Sequence, residues 1–412
     1  MRERNFMRLL RFLRTGFAVV LLPTLLLPLG GCWDRLEIEK RAVVLGIAVD
    51  SATAKEAGDD NKVTHLGREL PKVETHKLRI TAQIAIPGRI PLGPGEGGSG
   101  GGKPKPVWVV SAYGHTIDDA MMVLQQKLSD RIFLGHLRVI VVAEDVARAG
   151  MSNINDYFRR NPQVRRLAWM IVAKDEAASL MAANPELKRV PALYILAMMD
   201  HAVEMGKYPD EFVGKFWSKR SSKGRDPHLP YVQMEAGETF SLKGMALFDG
   251  DRMVDYTDPL QIGVFMAMTN IQSGGYSVYT PRENLMYRAT YRSAKTRLKI
   301  ENGHPHFRID IQVEGNIEEK PNESYDLETA AQLAALEKRL GAAAQKGALA
   351  LIALTQEANA DIFGFGELVR AKKPAFWNRE IRTKDNWHRM YKKSTFEVNY
   401  VIKIRRVGMK AE

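Results

Sequence analysis

Cys32 is the only cysteine in a chain of 412 residues. Without a second thiol there is no intrachain disulfide framework and no zinc site built on cysteine. Long apolar runs are missing too. The most apolar stretch, Phe17–Leu29, is interrupted by Pro23 and Pro28, too short and too broken for a comfortable spanning helix. A polytopic membrane protein is thereby excluded. Acidic residues are in deficit, 48 against 60 Lys plus Arg, leaving +12 at neutral pH. Such an excess suits an acidic partner, either nucleic acid or an anionic membrane surface. What remains, 45% apolar and 26% charged, is the balance of a folded, water-soluble chain, so wholesale disorder and a collagen-like repeat are excluded. The length exceeds what one compact core usually holds, and two or three domains are expected.

The lone cysteine closes a recognisable leader. Arg2, Arg4, Arg8, Arg11 and Arg14 form a basic head opposed only by Glu3, and the apolar run ends in Leu29-Gly30-Gly31-Cys32. A positive head, a short apolar stretch and small residues at its end describe a secretory signal peptide. The last four residues resemble a bacterial lipobox, in which the cysteine takes a lipid and the peptide is cut just before it. Cysteine supplies the soft nucleophile for a thioether, and the small residues let the backbone enter the peptidase. Removing residues 1–31 takes away five Arg and one Glu, so the mature chain carries about +8. Two or more acyl chains on Cys32 give firm attachment where one does not. The expected location is outside the cytoplasm, tethered to a membrane surface.

Along the mature chain, residues 41–49 read as a buried strand, and 76–86 as a strand with one wet face. Residues 51–75 read as a surface loop, and 93–102 lie in a flexible Gly-rich loop without Walker or dinucleotide spacing. Strands at 107–112, 137–143 and 167–173 alternate with helices, the first capped by Thr116 and a later one opened by Pro191. The pattern predicts an N-terminal α/β domain over 32–205, after the lipoprotein signal peptide 1–31. Residues 206–235, basic and rich in Gly, Pro and Ser, read as a linker. A middle hairpin-containing region, 236–285, turns at Asp249-Gly250. A C-terminal α+β domain, 286–412, has a hairpin turning at Asn302-Gly303, a long helix over about 326–361 that Gly341 and Gly347 bend or split, and a last strand at 396–406. The fold class is α+β or mixed α/β, multi-domain, with mixed sheets, packed helices and a long helix against an antiparallel sheet in the C-terminal half.

Catalytic signals are weak. His304 and His306 flank a proline at a hairpin turn, with no further ligands at metal spacing. His201 sits with Asp200 and Glu204 in a local polar cluster. Asp118 and Asp119 read as helix-start charges. Gly97-Gly98-Ser99-Gly100-Gly101 lacks the strand–turn–helix context of a serine nucleophile. No enzyme, no metal and no cofactor beyond the lipid on Cys32 is expected. From Arg370 to the end, thirteen Lys and Arg stand against four acids, interleaved with Phe376, Trp377, Trp387 and Tyr391. Lys372, Lys373, Arg379, Arg382 and Lys384 are the candidate contacts to anionic headgroups or to an acidic partner face. A solvated face over buried aromatics accounts for the same residues. Nucleic acid does not fit an extracytoplasmic tether.

Several separated blocks resemble one known family. Gly31-Cys32-Trp33-Asp34-Arg35 with Arg41–Asp50, Gly135–Glu144, Gly244–Met253 and Asp361–Gly366 are similar, in order, to Ger(x)C-type spore germination lipoproteins. The resemblance implies the C subunit of a nutrient germinant receptor, a non-catalytic three-domain α/β lipoprotein on the outer face of the inner spore membrane. It implies partners too, a multi-spanning A subunit and an integral B subunit. Cys32 is the one functional residue it transfers. Two other readings stand beside it: a lipid-anchored solute-binding protein holding a small ligand between its halves, and a cell-wall hydrolase, disfavoured by the lack of a paired acid and base.

Overall fold

The computed structural model describes residues 40–53, 77–86, 106–185, 188–236, 239–271, 275–280, 284–319 and 329–407. The leader, Cys32, the Gly-rich loop 93–102 and most of the 51–75 loop lie outside the described residues. Among those described, no helix is long and apolar enough to cross a membrane.

The first sheet begins with β1 (Arg41–Ser51), β2 (Leu78–Ala85) and β3 (Val107–Gly114), paired antiparallel. Thr116 accepts the Asp119 N–H at 3.1 Å and opens α1 (Ile117–Gln126), as its sequence predicts. The chain continues through β4 (Arg131–Phe133), β5 (Val139–Ala143), α2 (Glu144–Ala149) and α3 (Ser152–Arg160). It then forms β6 (Trp169–Ala173), α4 (Ala177–Ala182), α5 (Pro191–Glu204), α6 (Val213–Ser221) and β7 (His228–Glu235). β8 (Thr239–Asp249) and β9 (Arg252–Tyr256) complete a nine-stranded sheet of order β3-β2-β1-β5-β6-β7-β8-β9, with β4 beside β1. Its centre, β1-β5-β6-β7, is parallel. Parallel neighbours need crossovers, the crossovers put helices over the faces, and β5 and β6 are accordingly buried at every residue.

Two expectations are corrected here. β2 has no wet face: Thr81 and Gln83 are buried. Gln83 donates from Nε2 to the Met181 carbonyl at 2.9 Å and accepts the Ala192 N–H at 3.0 Å, so its amide ties α4 and the start of α5 to the sheet. Alternation in sequence marks a polar row; it does not say whether water or a helix terminus satisfies it. Residues 206–235 are not a linker. They contain α6 and β7 and bury Tyr208, Phe216, Trp217 and His228. Lys219 turns inward to Glu211, and burial pushes its ammonium down to about 8 against the pull of that carboxylate. A basic, Gly- and Pro-bearing segment looks solvated until its charges find internal partners.

α7 (Pro259–Met268) follows, capped by a reciprocal Asp258–Gln261 box. Its sequence is apolar on all sides because it packs against β8 of the first sheet and against the second sheet together. That second sheet has four strands in the order β10 (Ser277–Thr280), β11 (Leu285–Glu301), β12 (His304–Glu319) and β13 (Thr395–Val407). Asn302 and Gly303 both take positive φ at the β11–β12 turn, as the dipeptide requires. The region 236–285 is therefore divided: β8 and β9 belong to the first sheet and β10 to the second.

α8 (Ala330–Glu357) runs unbroken for 28 residues through Gly341 and Gly347. Gly341 does not bend it; a Cβ there would lie 2.9 Å from the Tyr400 carbonyl, so the missing side chain allows close packing on β13. The sheet is antiparallel through β10, β11 and β12 but takes β13 in parallel to β12, which corrects the all-antiparallel expectation. Strands on either side of a long crossover helix run in the same direction, and α8 with the helical segments after it is that crossover. α8 also covers the sheet edge. Gln345 donates to the Val398 carbonyl at 2.7 Å and Glu337 accepts the Ile404 N–H at 2.9 Å, so main-chain groups of β13 are occupied. Both sheets lie in one unit, residues 42–412.

Gln83→Ala leaves a buried carbonyl and a buried N–H without partners. It should lower the unfolding free energy by about 2–4 kcal/mol in urea titration, whereas a residue on a wet face would change it by less than about 0.5 kcal/mol.

Candidate functional site

After α8, Asp361 starts a tight segment leading into α9 (Phe365–Lys372). Its carboxylate accepts the N–H groups of Gly364 at 2.8 Å, Phe365 at 3.1 Å and Gly366 at 2.8 Å, together with Trp387 Nε1 at 3.0 Å. The three backbone donors are the unsatisfied start of the helix, where a negative side chain is favoured. Burial pushes the Asp361 carboxyl up to about 6, with the Asp226 charge adding to the rise and the backbone donors opposing it.

Asp226, just before β7, is fully buried against this segment. Its N–H donates to the Asp361 carbonyl at 2.8 Å, and its carboxylate accepts the Asp361 N–H at 3.0 Å. Two residues earlier, the Glu367 N–H donates to the Gly224 carbonyl and the Gly224 N–H to the Glu367 carboxylate. The two backbones touch: a Cβ on Gly366 would lie 2.6 Å from the Gly224 Cα. Segments 135 residues apart in sequence thus hold each other as a reciprocal clasp.

A turn at Pro374–Phe376 passes into a π-helical turn, Trp377–Ile381, and then α10 (Lys384–Tyr391). α10 aims Lys384 Nζ and His388 Nε2 at the two Asp226 oxygens, at 2.9 Å and 2.8 Å. His388 Nδ1 lies 3.4 Å from Asp249, at the β8–β9 turn. Burial opposes ionisation of Asp226, but the His388 hydrogen bond and the Lys384 and His388 charges outweigh it and hold the carboxyl below 3.8. Burial likewise disfavours the charged imidazole, yet Asp226 and Asp249 together raise His388 above 6.5. Asp226, Asp249 and His388 are close enough to share an ion, but the Lys384 ammonium already supplies a positive charge to the same carboxylate. Chemically this network clamps three parts of the chain together.

The basic tail residues divide. Lys372, Lys373, Arg379 and Arg382 are exposed; Arg379 pairs with Glu380 at 2.7 Å, and Arg382 donates to the Asn378 carbonyl at 2.6 Å. Lys384 is corrected: it points inward to Asp226. Phe376, Trp377, Trp387 and Tyr391 are buried core, so the tail is a solvated basic face over packed aromatics. His304 and His306 bond Asn302 and Thr395, and His201 lies beside Glu204, so neither group converges on a common ligand. Asp119 accepts the His115 N–H at 2.8 Å as a helix-start charge. Cys32 and Leu29, Gly30 and Gly31 lie outside the described residues. The sequence reading missed Asp226 and His388. The Asp361 spacing to Gly364 and Gly366 was a visible capping signal, but nothing local marks its distant partner.

Comparison with known proteins divides the chain into two matched regions. Residues 34–234 match the spore germination protein N-terminal domain, and residues 243–408 the spore germination B3/GerAC-like C-terminal domain. The chain is 26% identical to the putative spore germination protein YfkR of Bacillus subtilis (strain 168), covering 96% of this chain and 98% of the relative. It is 28% identical to spore germination protein GerQC of Bacillus cereus, over 76% of this chain and 85% of the relative. It is 24% identical to spore germination protein KC of Bacillus subtilis (strain 168), covering 95% of each. The crystal structure of the GerBC protein shares the fold, with a TM-score of 0.53 at 17% identity, covering 81% of this chain and 96% of that one.

The raised His388 sets the sign of a pH effect. Its stabilising share is fully present below the unfolded value of 6.5 and is lost as pH rises through the higher folded value. Comparing His388→Gln with the natural chain by thermal unfolding, the gap in midpoint should be widest in mildly acidic buffer and narrow as pH rises into the alkaline range. The lowered Asp226 works oppositely, its share being lost only as pH falls through its folded value below 3.8.

Proposed function

The chain belongs to the GerAC family of spore germination proteins, and from that premise we propose that it is the C subunit of a nutrient germinant receptor. In this reading lipid on Cys32 holds it at the outer face of the inner spore membrane, beside membrane-embedded A and B subunits. The observation that carries the reading is the pair of family matches, which together span 34–408 with a gap of eight residues and begin two residues after the sole cysteine. The role is non-catalytic. The charged side chains of the clasp are bound to one another and to backbone, an arrangement suited to holding a shape that partners recognise. The exposed basic cap of Lys372, Lys373, Arg379 and Arg382 is the face offered to anionic headgroups or an acidic partner surface. Coupling then runs from germinant binding at the membrane subunits, through contact with this scaffold, to ion and dipicolinate release.

In spores lacking paralogous genes, deletion of the gene should abolish the response to one nutrient while leaving the dipicolinate response intact. Normal nutrient germination in that strain would overturn the receptor reading. Cys32→Ala should move the protein out of the membrane fraction and reduce nutrient germination toward the deletion level; an unchanged distribution would refute the tether. Combined Lys372→Glu, Lys373→Glu and Arg379→Glu should leave the thermal midpoint within about 2 °C of the natural chain, since surface charges contribute little to stability, while weakening nutrient germination.

A further inference from the structure

α3 and α6 line an open cavity of about 320 Å³. Ser152 and Asn153 line it, and they are the first two residues of α3, whose N-terminus has no side-chain cap. A helix start presents N–H donors and partial positive charge. Asn155 lines the same cavity and is 3% exposed. Trp217 Nε1 donates to its Oδ1 at 3.2 Å, which fixes the amide orientation and leaves Nδ2 buried with no partner. Arg220, at the end of α6, reaches Asp251 only at 3.4 Å, and its Nε is also buried without a partner. Arg159 completes the wall and has no acidic partner among the described residues.

Buried donors without acceptors are rare in folded proteins and each needs an explanation. Here the two buried unmatched atoms, Asn155 Nδ2 and Arg220 Nε, are both donors, and the exposed helix start and Arg159 guanidinium stand beside them. The carboxylates here already have partners: Asp156, which also lines the cavity, pairs with Arg160 at 2.6 Å, and Asp251 with Ser152 and Arg220. We propose that this cavity is a binding site for a small oxyanion, a carboxylate or a phosphate, seated between Asn155, Arg159 and Arg220. The volume admits a small metabolite, and a second cavity of about 460 Å³ sharing Asn153 and Asp156 extends the room for its remainder. The site goes beyond the receptor-subunit role and does not depend on it.

The test is isothermal titration of the full-length chain in detergent, at constant ionic strength, with acetate, inorganic phosphate and glycerol phosphate in separate runs. Saturable binding of at least one is expected. Acetate alone assigns a carboxylate, inorganic phosphate a free phosphate, and glycerol phosphate alone a phosphoglycerol headgroup. Arg159→Gln, an exposed change, should weaken binding about tenfold with the unliganded thermal midpoint unchanged, and Arg220→Gln at least as much. Failure of all three probes to saturate, or natural affinity in both variants, would overturn the proposal.

Discussion

Asp226 carries a negative charge into a fully buried place, and much of the molecule's arrangement follows from matching it. A buried carboxylate left unpaired is costly; surrounded by donors and cations it is tolerated and positionally demanding. Its partners come from the Asp361 backbone before α9 and from Lys384 and His388 on α10. His388 extends the network to Asp249 at the β8–β9 turn. These partners come from two segments distant from Asp226 in sequence, so satisfying one charge orders both of them. Asp361 repeats the principle a few ångströms away, a carboxylate satisfied by helix-start N–H groups and an indole.

Family domains and structural layers fall in different places. The C-terminal family match begins at residue 243, inside β8, yet β8 and β9 complete the first sheet. α7 then packs against both sheets, which is why it is apolar on every side. The result is a scaffold whose two sheets share a core element and a buried ionic joint, so that moving one against the other would expose both apolar surface and an unpaired charge.

α10 shows how a single short helix serves inside and outside. Lys384 and His388, four residues apart, share the face that meets Asp226, while Arg389, Lys392 and Lys393 are exposed. Exposed basic residues thus stand on and just after the helix whose other face meets Asp226. The oxyanion cavity is close to the clasp along the chain, since Arg220 precedes by only a few residues the segment Ser222–Asp226 that grips Glu367 and Asp361.

Much of the secondary structure was legible in the sequence because its causes are local. The Thr116 cap, the Asn302-Gly303 turn, the buried β1 and β5 and the long Ala-rich helix all follow from short-range sterics, capping and burial patterns. The ordered family blocks were legible for the same reason, being contiguous strings. Tertiary structure alone decided three things: that Gln83 faces helix ends and not water, that residues 206–235 are core and not linker, and that Asp226 meets Asp361, Lys384 and His388. In each case a polar or charged side chain reads as solvated from its neighbours in sequence, and only the fold brings the distant donor or counter-charge that makes burial affordable.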